Sequence, residues 1–175
     1  NCTNITVPYN GEVVCKIKNY DNKPSLTLVK EVKNDNGGEL VATDWTLTAT
    51  GPTTIEGDGG VTSGDNFEAG TYTLSEVGKP TIDVSRYKAG KWNCTNNVTV
   101  NENNQITLGL GQSTTCTIVN DDIAPSLELV KIVDNKYGGN AQATSWTLTA
   151  TGPTTIEGAG GVKSGSDFKA GKYTL

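Results

Sequence analysis

Apolar and polar residues alternate in short runs along this chain. The runs are "SLTLVKEV" from Ser25, "DWTLTATG" from Asp44, "GTYTLSEV" from Gly70, "WNCTNNVTV" from Trp92, "NQITLGL" from Asn104 and "TTCTIVN" from Thr114. Residues two apart share a face of an extended strand, so each run predicts a strand with one buried side. Gly, Pro, Asn and Asp fall between the runs and predict turns. No stretch sustains a 3.6-residue period, which argues against helices. Six or seven short strands in roughly 100 residues predict an all-β, immunoglobulin-like β-sandwich.

The pattern repeats. Residues 25–74 and 126–175 align without a gap at an offset of 101, with 35 identities in 50 positions. "WTLTATGPTTIEG" at Trp45 returns unchanged at Trp146, and "CKIKNYDNKPSL" from Cys15 parallels "CTIVNDDIAPSL" from Cys116. "NCTNITV" from Asn1 parallels "NCTNNVTV" from Asn93. The chain therefore reads as residues 1–23 closing one unit, 24–123 forming a complete unit and 124–175 opening another. Both junctions, "NYDNKP" and "NDDIAP", are short and carry proline, which favours a stiff rod over freely swinging beads. With no signal peptide and a start at Asn1, the chain has the look of a mature or excised piece.

Three polar residues interrupt the apolar faces. Lys30 shares a face with Leu26, Leu28 and Val32, Glu76 with Tyr72 and Leu74, and Asn120 with Cys116 and Ile118. A buried ammonium tends to shed its proton and a buried carboxyl to keep one. Those states suit amide chemistry: a neutral Lys30 amine is a nucleophile, Glu76 can shuttle protons, and the Asn120 side chain is an electrophile. Attack would release ammonia and leave a Lys30–Asn120 isopeptide bond. The residues also allow plainer readings. Lys30 near a strand end can snorkel to water, Lys30 and Glu76 can form an ordinary salt bridge, and Asn120 can begin a turn. Lys131 and Asn19 occupy the positions of Lys30 and Asn120 in the partial units, without partners there. Two origins fit: a piece of a longer repeat protein, or a chain whose tail completes the front of the next copy in a head-to-tail filament.

The segments "LVKEV", "AGTYTLSEV" and "CTIVND" resemble the lysine strand, glutamate-bearing box and terminal asparagine strand of the prealbumin-like B-repeat family of Gram-positive collagen adhesins and pilins. "WTLTATGP" followed by "CTIVNDDIAPSL" is similar to tandem repeats in very long bacterial surface proteins. The resemblance covers essentially the whole chain and implies prealbumin-like sandwich repeats in which Lys30, Glu76 and Asn120 form an isopeptide triad. The family box usually continues P-x-G-Y; here "SEVGKPTIDVSRY" sets Pro80 and Tyr87 apart.

Composition narrows the function further. The net charge of −5 disfavours nucleic acid, and no apolar run is long enough to span a membrane. The chain has no His and no CxxC, so zinc or haem ligation is not expected and no cofactor is called for. Cys94 and Cys116 flank a predicted strand–turn–strand and are expected to clamp it as a disulfide, with Cys2–Cys15 as the repeat; this suits an extracellular, cell-surface location. Asn1, Asn4, Asn93 and Asn97 begin N-glycosylation triplets. The loops "KNDNGGE" and "VDNKYGGN" offer incomplete calcium spacing and read as turns, while Asp121 and Asp122 at the junction are a slightly better, still weak, calcium candidate. The glycine stretches "EGDGGVTSG" and "EGAGGVKSG" also read as turns, while Trp45 and Trp146 read as core. Together these features point to a structural repeat of an extracellular filament, pilus or adhesin stalk whose partners are neighbouring repeats or copies of itself. The alternative is an adhesin module holding a host or cell-surface ligand in its end loops. An enzyme with turnover lacks the residues it needs.

Overall fold

The computed structural model describes residues 2–175. Nine strands between Ser25 and Asp122 build two facing sheets. In chain order they are β1 (Ser25–Lys33), β2 (Trp45–Thr50), β3 (Ile55–Asp58), β4 (Gly60–Thr62), β5 (Gly70–Gly78), β6 (Tyr87–Ala89), β7 (Asn93–Cys94), β8 (Gln105–Leu108) and β9 (Ser113–Asp122). One sheet runs β4-β1-β9-β6, with β7 also on β9; the other runs β3-β2-β5-β8. Among the described residues helix is limited to three-residue 3-10 turns at Ala42–Asp44, Val84–Arg86 and Ala143–Ser145.

Alternation places the core as the sequence predicts. Leu26 and Leu28 of β1, Leu47 and Ala49 of β2, Tyr72 and Leu74 of β5, Ile106 and Leu108 of β8, and Cys116 and Ile118 of β9 meet between the sheets. The intervening threonines stay outward, where β-branching suits an extended backbone. The first and last long strands, β1 and β9, lie side by side and parallel over their full register, from Ser25 opposite Ser113 to Lys33 opposite Asp121. All other pairings in the two sheets are antiparallel.

Three expectations need correction. The glycine stretch after Ile55 is not merely a turn: β3 pairs with β2 in one sheet and β4 with β1 in the other, so this segment crosses the sandwich. Gly59 (φ +73°) and Gly60 (φ +157°) make the corner, and a Cβ on Gly60 would sit 2.7 Å from the Leu28 carbonyl oxygen. In the run from Trp92 strand structure is confined to Asn93–Cys94; Asn96 and Asn97 then adopt left-handed φ near +56° and +59° and turn the chain away. Cys94 and Cys116 therefore do not clamp a simple hairpin. They face each other across β7 and β9, while β8 between them belongs to the opposite sheet.

The third correction is Trp146. Trp45 is buried at 2% exposure, but Trp146 is 39% exposed. Beyond Asp122 the chain forms β10 (Glu128–Val130), β11 (Thr147–Ala150), β12 (Ile156–Ala159) and β13 (Gly161–Lys163), paired β10–β13 and β11–β12. These pairings match β1–β4 and β2–β3. Tyr87, which packs edge-on against Trp45 at 5.5 Å, has no counterpart over Trp146 among the described residues.

Candidate functional site

β1, β5 and β9 bring the three interrupting polar residues inward. Lys30 on β1 has a fully buried side chain, Glu76 on β5 is 13% exposed, and the Lys30 Nζ lies 2.7 Å from the Glu76 Oε2. This contact joins the two sheets, since β1 and β5 belong to opposite ones. Asn120 on β9 is 2% exposed. Lys30 sits opposite Ile118 and Val32 opposite Asn120, so the lysine and the asparagine are diagonal neighbours on the inner face of adjacent strands. Strand spacing and rise put such Cα atoms about 8 Å apart, within reach of a lysine stem.

The site is dry and its hydrogen bonding is incomplete. Lys30 Nζ, Glu76 Oε2 and Asn120 Oδ1 are all buried and none has a well-directed hydrogen bond. Lys30 and Glu76 answer each other's charge across this close contact. Buried polar atoms are nearly always satisfied in folded proteins, and an Asn120 Oδ1 without a partner in the same interior calls for an explanation. Burial pushes the Lys30 ammonium below the ordinary lysine range; the adjacent Glu76 carboxylate opposes this but does not cancel it. The Trp45 ring lies 4.8 Å from the Lys30 Nζ and screens it from water. Tyr87 packs edge-on against Trp45. Neither aromatic stood out in the sequence as part of this site. Tyr87 could have been found only by asking what replaces the missing P-x-G-Y tyrosine.

The remaining candidates are placed as follows. Lys131 stacks over Trp146 at 4.7 Å, repeating the lysine–tryptophan contact. Asn19 is exposed in a segment without strand structure. Cys94 is bonded to Cys116, with Cα atoms 4.0 Å apart, and Cys2 to Cys15 at 5.9 Å. Asn4, Asn93 and Asn97 are exposed, and Asn1 lies outside the described residues. Carboxylate oxygens of Asp35, Asp121 and Asp122 gather within 4.8 Å of one another. Their charge is answered by protein groups: the Lys33 ammonium pairs with Asp35 and lies 3.4 Å from Asp121, while Asp122 accepts backbone N–H bonds from Asn36 and Gly38.

Two facing sheets, shut by parallel first and last strands with a buried ionic contact between the layers, define a β-sandwich module with a lysine, a glutamate and an asparagine in its interior. The chain belongs to the prealbumin-like fold domain family, whose model matches residues 21–118 and 122–175. Membership supports a structural or adhesive role of the pilin and adhesin type, at a surface, for domains that are generally not enzymes. Among curated proteins no match was found. No helix among the described residues is long and apolar enough to cross a membrane.

Proposed function

We propose that this chain is part of the shaft of an extracellular filament, pilus or adhesin stalk. In this reading residues 24–123 are one complete unit, and residues 1–23 and 124–175 belong to its neighbours. The complete unit closes itself with an autocatalytic Lys30–Asn120 isopeptide bond. The observation that carries the proposal is the burial of Lys30, Glu76 and Asn120 in one interior, with Lys30 Nζ 2.7 Å from Glu76 Oε2 and the Asn120 Oδ1 left without a partner.

Each group has a role in a balanced reaction. Glu76 takes a proton from the Lys30 ammonium across their 2.7 Å contact. The freed amine attacks the Asn120 side-chain carbonyl carbon. Glu76 returns its proton to the Asn120 oxygen, stabilising the tetrahedral intermediate, assists transfer of that proton to the departing nitrogen, and then takes the second proton from the attacking lysine nitrogen so that a neutral amide remains. A C–N bond forms, a C–N bond breaks, and ammonia leaves. Fixed placement on adjacent strands supplies the effective concentration, so a single turnover suffices.

The topology explains the use of such a bond. Load enters β1 at Pro24 and leaves β9 after Asp122. Because the strands are parallel neighbours, tension shears them lengthwise. A link between Lys30 and Asn120 carries that load past everything between them. Exposed Asn4, Asn93 and Asn97 are glycan acceptors in the same reading, coating the outer surface.

Intact-mass spectrometry tests this. The wild-type chain is expected about 17 Da lighter than its disulfide-bonded formula mass, one ammonia per bond. Lys30→Arg and Asn120→Ala should return to formula mass. A wild-type chain at formula mass removes the isopeptide from the proposal.

A further inference from the structure

The segment after β1 makes an unusual set of bonds to the segment after Asp122. Asn36 is 7% exposed although it lies in a loop. Its Nδ2 donates to the carbonyl oxygens of Ser166 at 2.9 Å and Phe168 at 3.0 Å. The Ala170 N–H returns a bond to the Asn36 carbonyl at 2.7 Å. Behind it, the Asn36 N–H reaches both Asp122 carboxylate oxygens at 3.0 Å, and the Gly38 N–H reaches Asp122 Oδ2 at 2.6 Å. Asp122 ends β9, just before the linker, so the loop is held from both sides of the joint. Gly37 has φ +96°, and a Cβ there would press to 3.1 Å from the Ala170 nitrogen. The joint thus requires both an amide side chain and a glycine.

The receiving surface is stiff and recurs. Phe168 stacks on Tyr173 at 4.6 Å, and the Tyr173 hydroxyl donates to the Lys169 carbonyl at 2.7 Å. Phe67 and Tyr72 make the same stack at 4.6 Å, and the Tyr72 hydroxyl donates to the Glu68 carbonyl at 2.7 Å. At that end Asp21, at the position of Asp122, lines an open cleft of about 610 Å³ with Asp65, Phe67 and Ala69. The inserting residue does not recur. Tyr137 stands at the position of Asn36 and is 91% exposed; a Cβ on Gly138 would meet nothing within 4 Å.

We infer that Asn36 is a latch fixing the angle between consecutive units, and that the residue at this position specifies which joints of the shaft are stiff. This rests on reading residues 24–123 and 124–175 as consecutive units. It does not depend on the isopeptide bond. A single asparagine serves because it presents two donors to two carbonyls while its backbone serves Asp122 and Ala170. A tyrosine has one hydroxyl donor, held several ångströms further from the backbone, and cannot reproduce the set.

The test uses the full chain with oxidised disulfides. Nitrogen-15 relaxation is expected to give one tumbling time for amides of 25–122 and of 126–175, with a slowly exchanging Ala170 amide. Asn36→Asp keeps the shape but turns a carboxylate onto two carbonyls, close to Asp122. It should separate the two tumbling times and speed Ala170 exchange by about tenfold or more. Asn36→Ala, which removes only the side-chain amide, should move both readouts in the same direction and covers the case of a poorly folding Asn36→Asp. Tyr137→Asn should change neither. Two tumbling times in the wild type overturn the inference. So do unchanged exchange and one shared tumbling time in the Asn36 variants. Intact mass on the same samples reports the isopeptide separately, so failure of one reading is distinguishable from failure of the other.

Discussion

Replacing Lys30 by Met together with Glu76 by Gln separates the proposed Lys30–Asn120 link from the ion pair around it. Glu76→Gln alone leaves a buried ammonium without its carboxylate, and breaking such a pair costs about 3–5 kcal/mol in its own right. Removing both charges avoids the penalty of an unpaired buried ion. The double variant cannot form the link, so its loss of stability reports the cross-link. A bond from Lys30 to Asn120 closes a loop of about 90 residues, and the chain-entropy relation assigns this about 4.6 kcal/mol at 25 °C. For a domain of roughly 100 residues, each kcal/mol moves the Tm by about 4–8 °C, which gives a drop on the order of 20–35 °C. Strain in the native state would lower this figure. The assay is thermal unfolding by circular dichroism with both disulfides intact, alongside the intact mass of every sample. A double variant melting within about 5 °C of a wild type that carries the bond refutes the energetic argument, because the link would then contribute about 1 kcal/mol or less.

Leu47 is fully buried at the centre of β2, and Leu47→Ala should cost about 2–5 kcal/mol in urea unfolding as a cavity opens between the sheets. Acid should destabilise the fold through its surface carboxylates. The Lys79 ammonium and the Thr46 hydroxyl hold Asp58 below the usual carboxylate range, Lys23 does the same for Asp65, and Lys33 for Asp35. A depressed folded pKa contributes stability that is present above the unfolded value and lost as pH falls through the folded one. Tm should therefore decline progressively below about pH 4, and Asp58→Asn should flatten part of that decline.

Much of the fold was legible as alternation. The inward faces of β1, β5 and β9 are those read from residues two apart, including the misplaced-looking Lys30, Glu76 and Asn120. Strand periodicity is local, so it survives without knowledge of the partner strand. The short strands β3 and β4 were not legible, because their glycines signal a turn and their pairing is decided by sheets formed from distant segments. The exposure of Trp146 was hidden for a related reason: an identical local sequence is buried only where a remote residue such as Tyr87 covers it.

What the sequence determined alone was composition, period and chemistry: an all-β chain with an internal repeat, an oxidised cysteine pattern, and a lysine, an acid and an amide on faces that should be apolar. Tertiary structure decided which of these meet. It set β1 and β9 side by side and parallel, brought Glu76 across from the opposite sheet to within 2.7 Å of Lys30, and fitted Asn36 between carbonyls 130 and 132 residues away. The physical reason is that side-chain direction follows from neighbouring backbone geometry, whereas contact between strands follows from burying their apolar faces together. That burial is a property of the assembled sheets, which no local stretch of sequence contains.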